Sequence, residues 1–384
     1  GMDRTPMNGD DELVAIACRR TTFEWVLRRT VLDEGIATLR HGEAVEALVT
    51  NNRPATRDST ANGSRPHVSG VRLTDGTELT ADAVVLAGGR RMDVPALFGA
   101  LGVELAESEE DTGIIYLSRC YRLRDGADYP SQLGPIGGDL GYLKYGVFQG
   151  DDRTFSITLA TNTGDTELRN LLLDEDTFTE AAKALPATTS HVGGRAEPIT
   201  GVEVMGGLIN RRREFTVDGM PLVTGVHAVG DAHTATNPLY GRGCSLAMAQ
   251  AGLLTEALAE PDPLDAAQHY EAACRREILP WHSAAVAQDR MNKAASAANN
   301  TQAEFARSIL REGLFPAMRE DPVVLRAFLR MFNLLEPPDS LMGNADVVGR
   351  VMTAYQNRDS RPPEAPLGPD RQQLVATLSA TSSG

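Results

Sequence analysis

Apolar positions fall into strand-length blocks along the first two-thirds of the chain and into helical spacing after that. Leu13 to Ala17 reads as a short strand. From Thr21 to Leu32, Phe23, Val26, Leu27 and Val31 recur at helical intervals, and Thr21 with Glu24 has the spacing of a capping box. A strand is predicted over 43–49, followed by a polar stretch, Asn51 to Pro66, expected to be a mobile loop. Apolar and polar residues alternate from Val71 to Leu79 around Asp75-Gly76, a strong hairpin signal. Ala83 to Ala87 is wholly apolar, as in a strand buried on both faces, and runs straight into Gly88-Gly89.

From 104 to 217 the pattern changes. Gly113–Leu123, Tyr142–Phe148 and Thr154–Ala160 read as strands separated by Gly/Asp turns, which predicts an antiparallel sheet with one exposed face. Tyr116, Tyr142, Tyr145 and Phe148 either belong to its core or line a substrate pocket. Phe178–Leu185 predicts a helix stopped by Pro186, and strand character returns over 199–210. A strand over 222–229 leads into Gly230-Asp231, and Cys244–Ala259 has the composition of a helix. The stretch 264–355 is helical in pattern, with prolines as punctuation. The last stretch, from 356 to 384, is rich in Pro, Ser, Thr and Asp and is expected to be a flexible tail.

Composition narrows the function. The 384 residues are 42% hydrophobic and 23% charged, the balance of a folded chain. The formal net charge of −15 disfavours a nucleic-acid partner, and Arg211-Arg212-Arg213 is too short a basic run to change that. No apolar run approaches the ~20 residues of a membrane helix. Cys18, Cys120, Cys244 and Cys274 are widely spaced and form no C-x-x-C pair, so neither a metal site nor a disulfide framework is expected, and the cytoplasm is the expected location.

The segment that carries chemistry is Ala228 to Ala247. It reads as a buried strand, an acidic residue at its carboxyl end, a Pro/Gly loop and a helix start. A carboxylate there can accept hydrogen bonds from a ligand hydroxyl, glycines admit a flat ring close to backbone, and a helix N-terminus favours negative charge. The same arrangement could also be a plain strand-to-helix turn. With its Gly230-Asp231 and Asn237-Pro238-Leu239-Tyr240-Gly241-Arg242-Gly243, the segment resembles the flavin-contact motif of the para-hydroxybenzoate hydroxylase-like FAD-dependent oxidoreductases, most of all the epoxidase and geranylgeranyl-reductase-like branch. The resemblance implies that Gly230 and Asp231 hold the ribityl chain. Pro238, Gly241, Arg242 and Gly243 would lie along the isoalloxazine. It also implies an Arg-led helix after Cys18, with Arg20 the first choice of FAD contact and Arg19 the second. His233 and Tyr240 are weak candidates for proton donors or substrate positioners, His233 also being readable as a solvent-facing loop residue.

Three features depart from the family, one being that His233 sits one residue earlier than the histidine of the hydroxylase pattern. The G-x-G-x-x-G fingerprint occurs nowhere in the chain, and only 18 residues precede Arg19, fewer than the ~30 of a βαβ unit. Gly134 to Gly141 is glycine-rich but falls among the sheet strands. The chain is therefore expected to be N-terminally truncated and to lack the cradle for the FAD pyrophosphate. Gly88-Gly89-Arg90-Arg91-Met92 also differs from the Asp-Gly pattern of the hydroxylases, which leaves nicotinamide handling open.

The expected fold is α/β. A partial FAD-binding, Rossmann-like layer takes residues 1–100 and 218–262, a mostly antiparallel substrate-binding sheet 101–217, and a helical region 263–355. The expected function is an FAD-dependent monooxygenase, an epoxidase or hydroxylase, acting on a small apolar organic substrate with NAD(P)H as an optional reductant. The alternatives are a flavin-dependent reductase of the geranylgeranyl-reductase type and a cofactor-less remnant or binding module.

Overall fold

The computed structural model describes residues 5–51, 65–130, 137–296, 301–362 and 366–382. They divide into two units, each assembled from separated stretches of chain.

The first unit is built from Arg40–Thr112 and Ile209–Tyr355. At its centre two short strands, Val84–Leu86 and Val226–Ala228, run parallel, with Val226 opposite Val84 and Ala228 opposite Leu86. Val84, Leu86, Val226 and Ala228 are buried with Val68, Val94, Phe98 and Phe215. Val85 is 45% exposed, so the strand is covered on one face, not on both as its wholly apolar sequence predicts. The predicted hairpin is present. Val45–Asn51, His67–Leu73 and Glu78–Thr80 form an antiparallel sheet, and the Thr77 amide donates to Asp75 Oδ1 at 2.9 Å across the turn. Most of the expected loop over 51–66 lies outside the described residues. A third sheet places Ile209–Glu214 between Ala106–Asp111 and Thr234–Ala235.

Helices complete this unit. Gly243–Ala257, Pro263–Glu277 and Leu279–Ser296 follow one another, with Leu246, Leu254, Tyr270, Cys274, Ile278 and Trp281 buried together. The prolines act as the sequence implies. Pro263 and Pro322 sit in first turns, where an N–H is not missed, and Asp262 and Asp321 cap those helices by accepting from Leu264 and Val323.

The second unit is built from Pro6–Leu39, Gly113–Leu208 and Gln356–Gly384. Its antiparallel sheet runs in the order Gly137–Asp139, Leu143–Gln149, Thr154–Asn162, Ile114–Leu123, Ala196–Pro198, and Glu203–Met205 also pairs with Ile114–Leu123. Alternation on these strands works as predicted. Leu117, Leu143, Ile157 and Leu159 enter the core with Leu168, Leu172 and Phe178 from the helices Thr166–Leu172 and Glu175–Ala184. Ser118 and Thr158 pair through their hydroxyls at 2.8 Å.

Four expectations are corrected in this unit. The strand over 13–17 is absent: a short 3-10 turn, Asp10–Leu13, leads into extended chain with Val14 and Ile16 exposed and no strand partner. The helix Arg20–Asp33 forms but has no capping box. Glu24 is taken by Arg20, and the Thr22 hydroxyl donates to Asp151. The tail is not loose throughout. Arg371–Ser382 is a helix whose Leu374 and Leu378, one turn apart, are fully buried beside Phe178 and Leu185. Arg371 ties it to Asp165 and Glu167. Finally, the aromatic residues do not form one group. Tyr116 and Tyr145 are buried, Tyr142 is half-buried, and Phe148 is 59% exposed. The Tyr142 and Tyr145 hydroxyls donate to the Pro369 and Leu367 carbonyls. Burial pushes the Tyr142 phenol up to about 12.

Candidate functional site

The site begins where the two parallel strands end. Val84–Leu86 runs into a 3-10 turn, Gly89–Arg91, and Val226–Ala228 into another, Gly230–Ala232. Gly230 has φ +61, and a Cβ there would stand 3.2 Å from the Ala247 side chain, so glycine lets the following helix approach the turn. The Gly230 amide donates to Gln250 Oε1 of that helix at 2.7 Å. Asp231 is half-buried on this turn.

Two buried arginines fix both turns. Arg211 and Arg213 lie two apart on Ile209–Glu214 and so share a face of the strand. Arg211 donates to the carbonyls of Arg90 (2.7 Å) and Asp231 (3.3 Å). Arg213 donates to those of Ala232 (2.6 Å) and Met92 (3.3 Å), and its Nε meets Glu107 at 3.0 Å. Burial and the neighbouring Arg211 charge lower the Arg213 pKa from its ordinary value. The basic run dismissed at the sequence level is thus a structural clamp. Its alternate spacing on a strand is the signal that could have revealed it.

After Thr234–Ala235 the chain turns through Asn237, a 3-10 turn Pro238–Tyr240, Gly241 at φ +66 and Arg242 into the helix Gly243–Ala257. This helix has no side-chain N-cap, and Gly243, Cys244 and Ser245 are exposed at its start. Cβ atoms built at Gly241 and Gly243 meet nothing within 4 Å, so a flat group can lie against this backbone. The Arg242 guanidinium sits 4.6 Å from the Trp281 ring centroid and 5.7 Å from that of Tyr240, its Nε buried without a hydrogen-bond partner. Burial lowers its pKa. Beneath the loop lies Asp289, on Leu279–Ser296 and 2% exposed. It accepts from Tyr240 and Asn237 through Oδ1 and from Asn210 through Oδ2. Sequence reasoning missed Asp289, Asn210 and Trp281, because a single acidic or aromatic position within a helical pattern carries no local signal.

One unit therefore brings Gly230, Asp231, Pro238, Tyr240, Gly241, Arg242 and Gly243 into a single strand–turn–loop–helix. Arg20 belongs to the other unit, where it is exposed and paired with Glu24 at 2.6 Å. Arg19 is there too, its amide, Nε and guanidinium all donating to Asp151. His233 does not face solvent. It is 6% exposed and stacks 5.1 Å from Phe215, with Nδ1 2.7 Å from the Thr234 hydroxyl and Nε2 3.4 Å from Glu271.

The residues present fit the ring and ribityl end of a flavin: a half-buried carboxylate, open glycine backbone and a helix N-terminus without a side-chain cap. The pyrophosphate end has no G-x-G-x-x-G in the sequence to receive it. Among the described residues no cluster fit for a metal ion occurs, and no helix is long and apolar enough to cross a membrane.

No family model matches the chain. It is 27% identical over 375 residues to Protein Rv3254 of Mycobacterium tuberculosis, an alignment covering 92% of this chain and 75% of that protein. Among solved structures it is similar to the myxobacterial chondrochloren halogenase CndH, described as a variant of FAD-dependent halogenases. The TM-score is 0.55 and the identity 17%, over 99% of this chain and 76% of that one. It is also similar to the OxyS anhydrotetracycline hydroxylase of Streptomyces rimosus, with a TM-score of 0.50 and 19% identity over 83% of this chain and 56% of that one. The chain accordingly shares the mixed α/β fold of these two proteins, with antiparallel sheets and a helical C-terminal region.

Proposed function

We propose that this chain is an FAD-dependent oxidoreductase, a monooxygenase of the epoxidase or hydroxylase type acting on a small apolar organic substrate. The observation that carries the reading is the continuous run from the Val226–Ala228 strand end through Asp231 to the open glycines at the head of Gly243–Ala257. Asp231 would accept from ribityl hydroxyls, and the Gly241–Gly243 backbone with the free N–H groups of the helix would hold the pyrimidine edge, where negative charge is favoured. Bound flavin supplies the redox chemistry, and the protein orients it and keeps water away. Arg211 and Arg213 keep the Asp231 turn in place by holding its carbonyls. Tyr240 stands beside the glycines and could orient substrate, whereas both ring nitrogens of His233 are engaged inside the unit.

Reduction of an alkene in place of oxygenation, and nicotinamide as the electron source, belong to the same reading. A second reading keeps the scaffold as a cofactor-less binding module. Titration of the purified chain with FAD separates the two. Uptake with the visible absorption of bound flavin, lost in Asp231→Ala, is the expected result. A colourless chain that takes up no FAD overturns the enzyme reading, and equal uptake by Asp231→Ala overturns the assigned site.

A further inference from the structure

The loop that would carry the flavin ring rests on a buried carboxylate. Asp289 Oδ1 accepts from Asn237 Nδ2 at 2.9 Å and from the Tyr240 hydroxyl at 2.7 Å, and Oδ2 accepts from Asn210 Nδ2 at 2.7 Å. Asn210 closes the circuit by accepting the Asn237 amide N–H on its own Oδ1 at 2.8 Å. Asn237 then accepts from the Leu239 amide at 3.0 Å. Asp289, Asn210 and Asn237 are each at most 2% exposed.

These bonds span both ends of the turn Pro238–Tyr240, which delivers Gly241 to Gly243. A buried carboxylate left without partners would be costly, so the set of donors defines one geometry for the loop. We infer that Asp289 is a positioning residue for the flavin-ring loop, acting through Asn237 and Tyr240, with Asn210 as its relay. The inference rests on the flavin reading for its functional consequence but not for its structural one.

Hydrogen-bond polarity supplies a sharp test. In Asp289→Asn the new amide cannot satisfy all three donors. In one orientation its NH2 faces the NH2 of Asn210, in the other it faces that of Asn237. Asn210 cannot turn to help, because its oxygen holds the Asn237 N–H. Adding Asn210→Asp reverses the pair. The amide at 289 keeps its oxygen on Asn237 and Tyr240 and donates to the carboxylate at 210, whose other oxygen keeps the Asn237 N–H. All four bonds return with carboxylate and amide exchanged.

Two measurements on the full chain are compared across wild type, Asp289→Asn and the double variant. One is FAD affinity, read by flavin fluorescence and visible circular dichroism. The other is the rate of tryptic cleavage after Arg242, which reports the loop in the absence of FAD. Asp289→Asn is expected to weaken FAD binding about tenfold or more and to speed the cut. The double variant is expected to return both to near the wild-type value and to restore the dichroism of the bound flavin. Wild-type behaviour of Asp289→Asn overturns the proposal, and so does a double variant that stays impaired or does not fold. If Asp289→Asn does not fold, recovery of fold and affinity in the double variant supports the proposal. If wild type takes up no FAD, the flavin reading fails separately. The cleavage rates then decide: a faster cut reversed by the double variant sustains the positioning role, and an unchanged one ends it.

Discussion

Replacing Arg213 by methionine keeps an unbranched apolar stem of much of the same bulk while removing the charge and the donors. The guanidinium is 2% exposed and reaches Glu107, Ala232 and Met92. Loss of a buried charged partner typically costs about 3–5 kcal/mol. Here the Glu107 side chain is 31% exposed and can turn to water, which removes much of that penalty. The Ala232 carbonyl, losing its 2.6 Å donor inside a buried turn, contributes about 1–3 kcal/mol. Two effects oppose the loss. An arginine no longer has to be desolvated, and its repulsion from Arg211 disappears, the same two causes that lower its pKa. The net expectation is a destabilisation of about 2–3 kcal/mol, read as a lower urea midpoint at unchanged slope. Hydrogen exchange should quicken first at the amides of Gly230 to His233. Arg213→Lys restores one charge but cannot span three acceptors, and is expected to recover less than half of the loss. A loss below about 1 kcal/mol in Arg213→Met, or full recovery in Arg213→Lys, would refute the argument that a forked donor holds the turns.

Three further outcomes are expected. Leu378→Ala should cost about 2–5 kcal/mol by opening a cavity under the C-terminal helix, measured by thermal or chemical denaturation. A near-neutral result would show that the helix is not part of the core. The Asp151 carboxyl is held well below the usual carboxylate range by hydrogen bonds from the Arg19 side chain and amide. Its pair with Arg19 is therefore intact at neutral pH and is lost only as pH falls below that range. Protection of the Arg20–Asp33 amides, corrected for the intrinsic pH dependence of exchange, should thus fall on strong acidification in wild type and be already lowered at neutral pH in Asp151→Asn. In thiol labelling at about pH 8, exposed Cys244 should react first and Cys274 last. Burial pushes Cys274 up to about 12. Added FAD should slow Cys244 alone, and protection of the half-buried Cys18 or Cys120 instead would place the flavin elsewhere.

Much of the fold was legible because its signals are local. Alternation on Ile114–Leu123 and Thr154–Asn162, the Asp75-Gly76 turn, and Gly230-Asp231 ahead of a helix are each written in adjacent residues. What could not be read depends on distant partners. Leu13–Ala17 has the composition of a strand and no neighbour to pair with. Leu374 and Leu378 lie in polar sequence, yet the hydrophobic surface they cover comes from Phe178 and Leu185. Of the site, the glycines and Asp231 were visible and their supports were not. Asn210 and Asp289 are 79 positions apart, and only the packed chain brings amide to carboxylate.

The interleaving of the two units has a bearing on synthesis. The six-stranded sheet is made early, but its core is closed by Leu374 and Leu378, which emerge only after the whole of Ile209–Tyr355 has been translated. Until then the helices Thr166–Leu172 and Glu175–Ala184 must carry an uncovered apolar seam around Phe178 and Leu185 across an interval in which the other unit folds. Such a chain should rely on holdase chaperones during its birth, and truncations that spare every proposed flavin contact should still aggregate.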